Sequence, residues 1–209
     1  VQPLVVKGLL GGGYYDVIPD PKYRDISPAG VALQEMIEKP KSPEEAAERK
    51  AREKAQEIKD KVEKFRFQKI PGFFPTPKAI ADIMAEKAEI EPGMAVLEPE
   101  GGLGDLADAV KANEPSVNIR TYEERPALVE ILKLKGYDAT DEDFLQVTPE
   151  AKYDRVIMNP PFEKGADADH IRHAYKFLKP GGRLIAIASE GTFGRTNRKS
   201  SDFKDWMHT

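Results

Sequence analysis

The four residues Asn159-Pro160-Pro161-Phe162 follow the apolar run Arg155–Met158, and their types and spacing suit chemistry on an amine. The two prolines hold φ at about −65° and remove N–H donors from the turn, so the Asn159 side chain and the Pro160 carbonyl can face one point. Two acceptors take both hydrogens of a planar amino group and leave its lone pair free, while Phe162 can stack on the attached ring. The motif therefore predicts a site that alkylates an amine on a flat heterocycle.

A second set of residues lies before this motif. The glycine loop, which we define as Leu97–Gly104 (Leu-Glu-Pro-Glu-Gly-Gly-Leu-Gly), joins a predicted strand to a predicted helix, so a ligand can approach its backbone and the free N–H groups of the helix start. Glu123 ends the next predicted strand, where an acidic residue commonly binds a ribose diol. Asp143-Phe144 follow in a turn, where the carboxylate can accept from an adenine amino group and the ring can pack on the base. The ordered set of four motifs predicts one binding site.

The elements that must position these residues form an alternating pattern from Pro71 onwards. The predicted strands are 94–98, 117–123, 155–158 and 183–188, with a short strand near 137–139. The predicted helices are 77–88, 104–112, 126–135, 168–178 and 201–208. This alternation is typical of an α/β fold with a doubly wound, mostly parallel sheet, whose ligand crevice lies at the carboxyl ends of the strands.

Residues 1–68 are predicted to precede this domain, which then covers residues 69–209. The segment 1–42 is rich in Gly and Pro and predicts an irregular arm with one short helix at 30–38 and a flexible linker at Gly11–Gly13. The segment 43–68 predicts a charged amphipathic helix, because Ser42 can cap it, Pro43 suits its first position and i,i+4 ion pairs cover its solvent faces.

Composition excludes several kinds of site. The chain has no cysteine, which rules out disulfides and thiolate chemistry, and His170 and His173 lack a third ligand at a matching spacing, so no metal site is predicted.

No apolar run is long enough to span a membrane, and a cytoplasmic location is expected. Net charge is +2 over residues 1–72, −10 over 73–163 and +4 over 164–209. The acidic middle suits a cationic small molecule, and the basic end either contacts phosphates or is an ordinary solvated surface.

With these motifs in place, residues 69–205 resemble the class I S-adenosylmethionine-dependent methyltransferases, specifically the enzymes that methylate adenine N6 in DNA. In that family Asn/Asp-Pro-Pro-Tyr/Phe is the catalytic motif. Pro71–Pro77 resembles the segment that closes over the methionine end of the cofactor, and its place before the glycine loop is similar to the γ-class motif order. Lys69–Ala188 is also similar to methyltransferase-like proteins of phages and mobile elements.

The resemblance implies methyl transfer from S-adenosylmethionine to an exocyclic amino group of a nucleobase, with DNA as the expected partner. The implied catalytic residues are Asn159, Pro160, Pro161 and Phe162. The implied cofactor-binding residues are Phe74, Pro75, Thr76, Glu98, Pro99, Gly102, Gly104, Glu123, Asp143 and Phe144. Arg195, Arg198 and Lys199 follow the fifth strand and are expected either to contact nucleic acid or to lie in a solvated loop. A partner chain or a further domain is expected to supply target recognition.

The sequence also departs from the family pattern. The family usually has small residues at the positions of Glu100 and Gly101 and a polar residue near Leu103. Glu100 adds a carboxylate beside the expected cofactor carboxylate, which weakens binding unless Glu100 turns to the sulfonium or the amino group. A degenerate, non-catalytic subunit therefore stays open as an alternative, as does methylation of RNA or of a protein amide. The antiparallel hairpin that usually closes the class I sheet is expected to lie beyond this sequence or to be disordered.

Overall fold

A computed structural model of the chain describes residues 4–7, 14–17, 42–68, 70, 73–194 and 196–208. The chain divides into two compact units, Val1–Glu53 and Lys54–Thr209. The first unit contains two antiparallel strands, β1 (Leu4–Lys7) and β2 (Tyr14–Val17). These strands differ from the irregular arm expected for residues 1–42, because their β-branched and aromatic residues favour strand pairing. The helix expected at 30–38 and the linker at Gly11–Gly13 lie outside the described residues.

The charged helix forms as predicted and is α1 (Pro43–Arg66). The Ser42 hydroxyl accepts a hydrogen bond from the Glu45 N–H at 3.1 Å, so Ser42 is the expected cap. Near the end of the helix, Val62 and Phe65 pack against a buried cluster in the second unit that contains Leu103 and Leu128. The proposed boundary between residues 68 and 69 stays a prediction.

The second unit is built on a five-stranded sheet. Its strands are β3 (Ala95–Glu98), β4 (Asn118–Tyr122), β5 (Asp138–Thr140), β6 (Tyr153–Met158) and β7 (Leu178–Ala186). All pairings are parallel, in the order β5-β4-β3-β6-β7. The chain runs outwards from β3 to β5 and then returns to β6 on the other side of β3, so the strand order reverses between β3 and β6. In a sheet of this kind, the ligand crevice lies at that reversal.

Helices cover both faces of the sheet, which confirms the α/β doubly wound class. They are α2 (Lys78–Ala88), α3 (Asp105–Asn113), α4 (Pro126–Lys135), α5 (Ala166–Tyr175), α6 (Glu190–Gly194) and α7 (Arg198–Met207). Alternate strand residues enter different cores: Val96 and Ile157 pack with α2 and α3, whereas Leu97 and Val156 pack with α5 and α7. This alternation follows from the period of two in a strand. Within the described residues, no helix has the length and apolar character needed to cross a bilayer.

The last strand begins earlier than the sequence predicts. The strand was predicted at 183–188, but β7 runs from Leu178 to Ala186 and includes Pro180-Gly181-Gly182. The register between β6 and β7 shifts between Tyr153 and Arg155, and Gly181 adopts a φ of +80°. A glycine with positive φ lets a strand bulge without losing its pairing on either side. The proline and glycines are therefore absorbed as an irregularity of the strand.

Candidate active site

A cleft opens at the carboxyl ends of β3, β4 and β6, at the strand-order reversal. Segment 73–76, the glycine loop and the Asn-Pro-Pro motif all contribute to its walls. The sequence-predicted residues that line it are Phe74, Pro75, Thr76, Glu98, Pro99, Gly102, Glu123, Phe144, Asn159, Pro160 and Pro161. The fold thus brings together residues that lie as much as 87 positions apart in the chain, Phe74 to Pro161.

The side chain of Asn159 is fixed by the segment before α2. Its Nδ2 donates to the Phe74 carbonyl oxygen and to the Thr76 hydroxyl, both at 3.1 Å. Because a carbonyl oxygen can only accept, the contact with Phe74 sets which end of the amide is the nitrogen. Asn159 Oδ1 is buried and has no hydrogen-bond partner among the described residues. Buried polar atoms in proteins are usually paired, so an acceptor without a partner is an exception at this position.

Phe162 is not among the residues that line the cleft, but its ring contacts the ring of Phe74, which does line it. Phe162 and Phe74 have ring centroids 5.8 Å apart with their planes tilted by 43°. Phe74 is 56% exposed, which is unusual for a large apolar side chain and leaves ring surface free. A flat heterocycle whose amino group reaches Asn159 therefore finds aromatic surface next to the motif.

The glycine loop is shaped by close contacts on both sides. A Cβ added to Gly101 would lie 2.7 Å from Leu132 Cδ1, and Gly102 adopts a φ of +52°, so both positions favour glycine. The Gly102 N–H donates to Glu123 Oε2 at 3.0 Å. This bond ties the loop after β3 to the end of β4 and forms one wall of the cleft.

Glu123 lies where the sequence places a diol-binding carboxylate. Its Oε1 accepts from the Arg125 backbone N–H at 2.9 Å, and the Arg125 guanidinium lies 3.4 Å away. Burial raises the pKa of the Glu123 carboxyl despite these donors. The side chain is 5% exposed and lines the cleft, so its oxygens can still accept from a ligand hydroxyl.

Glu98 is the most deeply buried acid of the cleft. It is 1% exposed, and its Oε2 has no hydrogen-bond partner in the part of the chain that the structure describes. Burial raises the pKa of this carboxyl well above its ordinary value, and the charges of Asp108 and Asp105 add to the effect. In this position the protonated form of the carboxyl is favoured unless a donor or a cation lies next to it.

Glu100 and His170 form a pair that the sequence reasoning did not predict. Glu100 Oε1 lies 2.6 Å from His170 Nδ1, and both side chains are largely buried and line the cleft. Burial raises the pKa of the Glu100 carboxyl, although His170 opposes the shift. The available signal was the acid inside the glycine loop, but its partner lies 70 positions away and cannot be found from local spacing.

Of the other predicted residues, Asp143 and Gly104 do not line the cleft. Asp143 Oδ1 accepts from the Leu145 N–H at 2.9 Å and caps a short 3-10 helix, while Glu142 reaches the cleft. Phe144 lines the cleft but is 2% exposed and packs mainly in the core. Gly104, with a φ of +80°, lets the loop pack against Leu132 rather than against the cleft.

Among the described residues, Arg198 and Lys199 after β7 do not line the cleft. Arg198 lies 3.7 Å from Asp202, and Lys199 Nζ lies 2.6 Å from Asp169 Oδ2. Arg195 lies outside the described residues. His173 contacts the Val147 carbonyl at 3.0 Å, and no group of metal-binding side chains occurs within the described ranges.

Solved structures with a similar fold are methyltransferases and a cyclase. The type I restriction-modification methyltransferase subunit from Streptococcus thermophilus matches with a TM-score of 0.54 and 20% identity over 63% of this chain and 38% of that one. TrmN from Thermus thermophilus has a TM-score of 0.44 and 24% identity over 53% and 38%. The cyclase SpnF has a TM-score of 0.46 and 23% identity over 52% and 43%. The similarity to the restriction-modification subunit, together with the sheet order β5-β4-β3-β6-β7, shows the Rossmann-like class I methyltransferase fold.

The chain spans about two fifths of the length of the first two of these proteins. No curated protein sequence matches it. The family described as the methyltransferase small domain matches residues 79–197, which include α2 except for Lys78, the glycine loop, the Asn-Pro-Pro-Phe motif and β7. Because this match covers more than half of the sequence, the chain belongs to the methyltransferase small domain family.

Proposed function

We propose that this protein transfers a methyl group from S-adenosylmethionine to an exocyclic amino group of a nucleobase, with adenine N6 in DNA as the preferred acceptor. One observation carries the proposal: Asn159 Oδ1 is buried and lacks a partner among the described residues, while Nδ2 of the same amide is anchored at two points. An acceptor oxygen held in this way binds one hydrogen of an amino group and so fixes the direction of that group. The nitrogen lone pair takes no part in this hydrogen bond and stays free to attack the methyl group.

The cofactor half of the cleft fits S-adenosylmethionine. This cofactor supplies an electrophilic methyl group on a positively charged sulfur, which an amine lone pair can attack. The acidic side chains that line the cleft are Glu98, Glu100, Asp105, Glu123, Glu124, Glu142 and Glu163. Such a lining attracts a cationic ligand and repels a polyphosphate. We assign the ribose to Glu123 and the polar end of the cofactor to Glu98 and the glycine loop at Gly102, whose own N–H is bonded to Glu123, with segment 74–76 covering it.

The acceptor half is formed by the Asn-Pro-Pro-Phe motif and Phe74. Phe162 and the exposed ring of Phe74 provide stacking surface for a planar base. A base inside a duplex must leave the helix to reach Asn159, and stacking on Phe162 offsets part of the cost of unstacking, typically a few kcal/mol. The nitrogen–carbon bond forms as the carbon–sulfur bond breaks, and the methylated nitrogen then releases one proton to solvent. Orientation and electrostatics supply most of the rate enhancement, since they align the amine with the methyl group.

The remaining assignments belong to the same proposal. Because the cleft is acidic and repels phosphates, DNA binding needs a basic surface outside it. We propose that residues 164–209, with a net charge of +4, supply this surface. Arg195, Arg198 and Lys199 are the proposed contacts to phosphates. Target recognition is assigned to a partner chain or a further domain, the protein to the cytoplasm, and its origin to a phage or mobile element.

Incubation with S-adenosylmethionine labelled at the methyl group, in separate reactions with mixed DNA, RNA and protein pools, tests this function. We expect label in DNA, recovered as N6-methyladenine after digestion, and none in DNA with Asn159→Ala. Label in RNA alone or in protein alone would show that the acceptor is not DNA, while methyl transfer from S-adenosylmethionine would still hold. Cofactor binding without label in any pool would favour a non-catalytic subunit with this fold.

A further inference from the structure

The pair formed by Glu100 and His170 adds a function that the methyl-transfer motif does not require. Glu100 lies in the glycine loop after β3, and His170 lies on α5, which follows the Asn-Pro-Pro-Phe motif. Their 2.6 Å contact joins Glu100 Oε1 to His170 Nδ1. When the carboxylate is ionised, Nδ1 must carry the proton, so His170 holds Glu100 by a charge-assisted hydrogen bond. The pair therefore fixes the direction of the carboxylate relative to the cleft.

The second oxygen of the Glu100 carboxylate forms no hydrogen bond with the described residues. Glu100 Oε2 is buried without a hydrogen-bond partner among the described residues, although the side chain lines the cleft. The neighbouring acid Glu98, 1% exposed, likewise has a buried oxygen without a partner in those ranges. A carboxyl group that is held at one oxygen by His170 and has its other oxygen buried without a partner can be satisfied by a donor or a positive charge from a ligand.

Charge limits what this ligand can be. Acidic side chains dominate the cleft lining, and Arg125 is the basic residue among the described lining residues besides His170. An anionic group beside Glu100 would be repelled, whereas a cationic group would be stabilised by a partly buried carboxylate. S-adenosylmethionine carries one more positive charge than its product S-adenosylhomocysteine, because loss of the methyl group neutralises the sulfur. A carboxylate in this position can distinguish the two.

We infer that Glu100, positioned by His170, makes the cleft selective for the positively charged methyl donor over its neutral product. This inference rests on the proposed function. The selectivity would help release of the product after each transfer, since the attraction to Glu100 is lost when the sulfur becomes neutral. Opposite charges about 5 Å apart at an effective dielectric constant of about 20 interact strongly enough to change an affinity by tenfold or more.

Isothermal titration calorimetry of the whole chain with S-adenosylmethionine and with S-adenosylhomocysteine measures this selectivity. We expect the wild type to bind the charged donor at least about tenfold more tightly. In Glu100→Gln, which keeps the shape and removes the charge, the two dissociation constants should agree within about threefold. Glu91→Gln removes the same charge from an exposed turn outside the cleft and should leave the wild-type ratio unchanged.

A second pair of variants tests the positioning role of His170 even if Glu100→Gln folds poorly. His170→Leu removes the donor to Glu100 and should lower the ratio of the two dissociation constants. His170→Asn places an amide N–H near the position of Nδ1 and should restore the ratio, which a purely structural role of the ring would not do.

The possible outcomes separate the inference from the function on which it rests. Equal binding of both compounds by the wild type, or an unchanged ratio in Glu100→Gln, would overturn the inference and leave the methyltransferase proposal intact. No binding of either compound by the folded wild type would overturn both. A wild-type preference that Glu100→Gln and His170→Leu abolish, and that His170→Asn keeps, supports the inference.

Discussion

The hydrogen bond from Asn159 to Thr76 offers a direct test of how the methyl acceptor is oriented. Thr76 is 5% exposed, and its hydroxyl is one of the two acceptors that hold Asn159 Nδ2. Thr76→Val keeps the shape of the side chain and removes this acceptor. The other bond, to the Phe74 carbonyl oxygen, remains. The amide then keeps one anchor and can rotate about it.

The expected size of the effect follows from the loss of one buried partner. A buried N–H left without an acceptor costs about 1–3 kcal/mol. If that cost appears in the transition state, where the amide must point at the amine, the rate falls by about tenfold to hundredfold. The free energy of unfolding should fall by a similar amount of about 1–3 kcal/mol, which leaves the folded state populated in a domain of ordinary stability.

Single-turnover transfer of labelled methyl groups to DNA, with the dissociation constant of the cofactor measured in parallel, is the assay. Thr76→Ser keeps the hydroxyl and is the matched control, expected to be close to wild type in rate. We expect Thr76→Val to lose rate while its affinity for the cofactor changes little. Equal rates for the Val and Ser variants would refute the idea that this hydrogen bond orients Asn159.

Three further substitutions test separate parts of the account. Burial raises the pKa of Glu98 well above its ordinary value of 4.5. Above pH 4.5 the folded protein therefore keeps a proton that the unfolded chain releases. The free energy of unfolding falls as the pH rises from 4.5 through the folded pKa. Urea unfolding at pH 5 and pH 8 should show this fall in the wild type and a smaller fall in Glu98→Gln. At pH 8 the free energy of unfolding of Glu98→Gln should exceed that of the wild type by about 1–3 kcal/mol. The same fall in both proteins would contradict the raised pKa of Glu98. Gly101→Ala places a methyl 2.7 Å from Leu132 Cδ1 and should destabilise the protein by about 1–3 kcal/mol, whereas Gly194→Ala, with nothing within 4 Å, should change its stability much less. Phe162→Leu should raise the KM for DNA by about tenfold without changing cofactor affinity, because it removes stacking surface, and an unchanged KM would exclude Phe162 from the acceptor site.

Local patterns in the sequence predict much of this fold. The alternation of strands and helices, the cap at Ser42 and the glycine loop depend on neighbours in the chain, and the structure places these elements within a few residues of their predicted bounds. The Asn-Pro-Pro-Phe motif also lies where expected, directly after β6. Three strand segments were not predicted: β1, β2 and the first residues of β7. Nearby glycine and proline residues favoured irregular structure there and outweighed the strand propensity of their neighbours.

The contacts that make the site specific could not be predicted in this way. Thr76 lies 83 positions from Asn159, and Glu100 lies 70 positions from His170. Which of these residues meet depends on the strand order and on the rotation of α5 about its axis, neither of which local periodicity determines. Local spacing therefore related His170 only to His173, and Glu100 was expected to weaken cofactor binding unless it turned to the sulfonium or the amino group. The fold turns the two into one hydrogen-bonded pair.

The central claim is that the buried Asn159 oxygen receives the amine that is methylated. Comparison of wild type and Asn159→Ala, by quantifying N6-methyladenine in treated DNA and by titrating the cofactor, tests this claim most directly. The account predicts methyladenine with the wild type, none above background with the variant, and cofactor dissociation constants within about twofold of each other. Methylation that survives in the variant, or a loss of cofactor affinity as large as the loss of methylation, would contradict it.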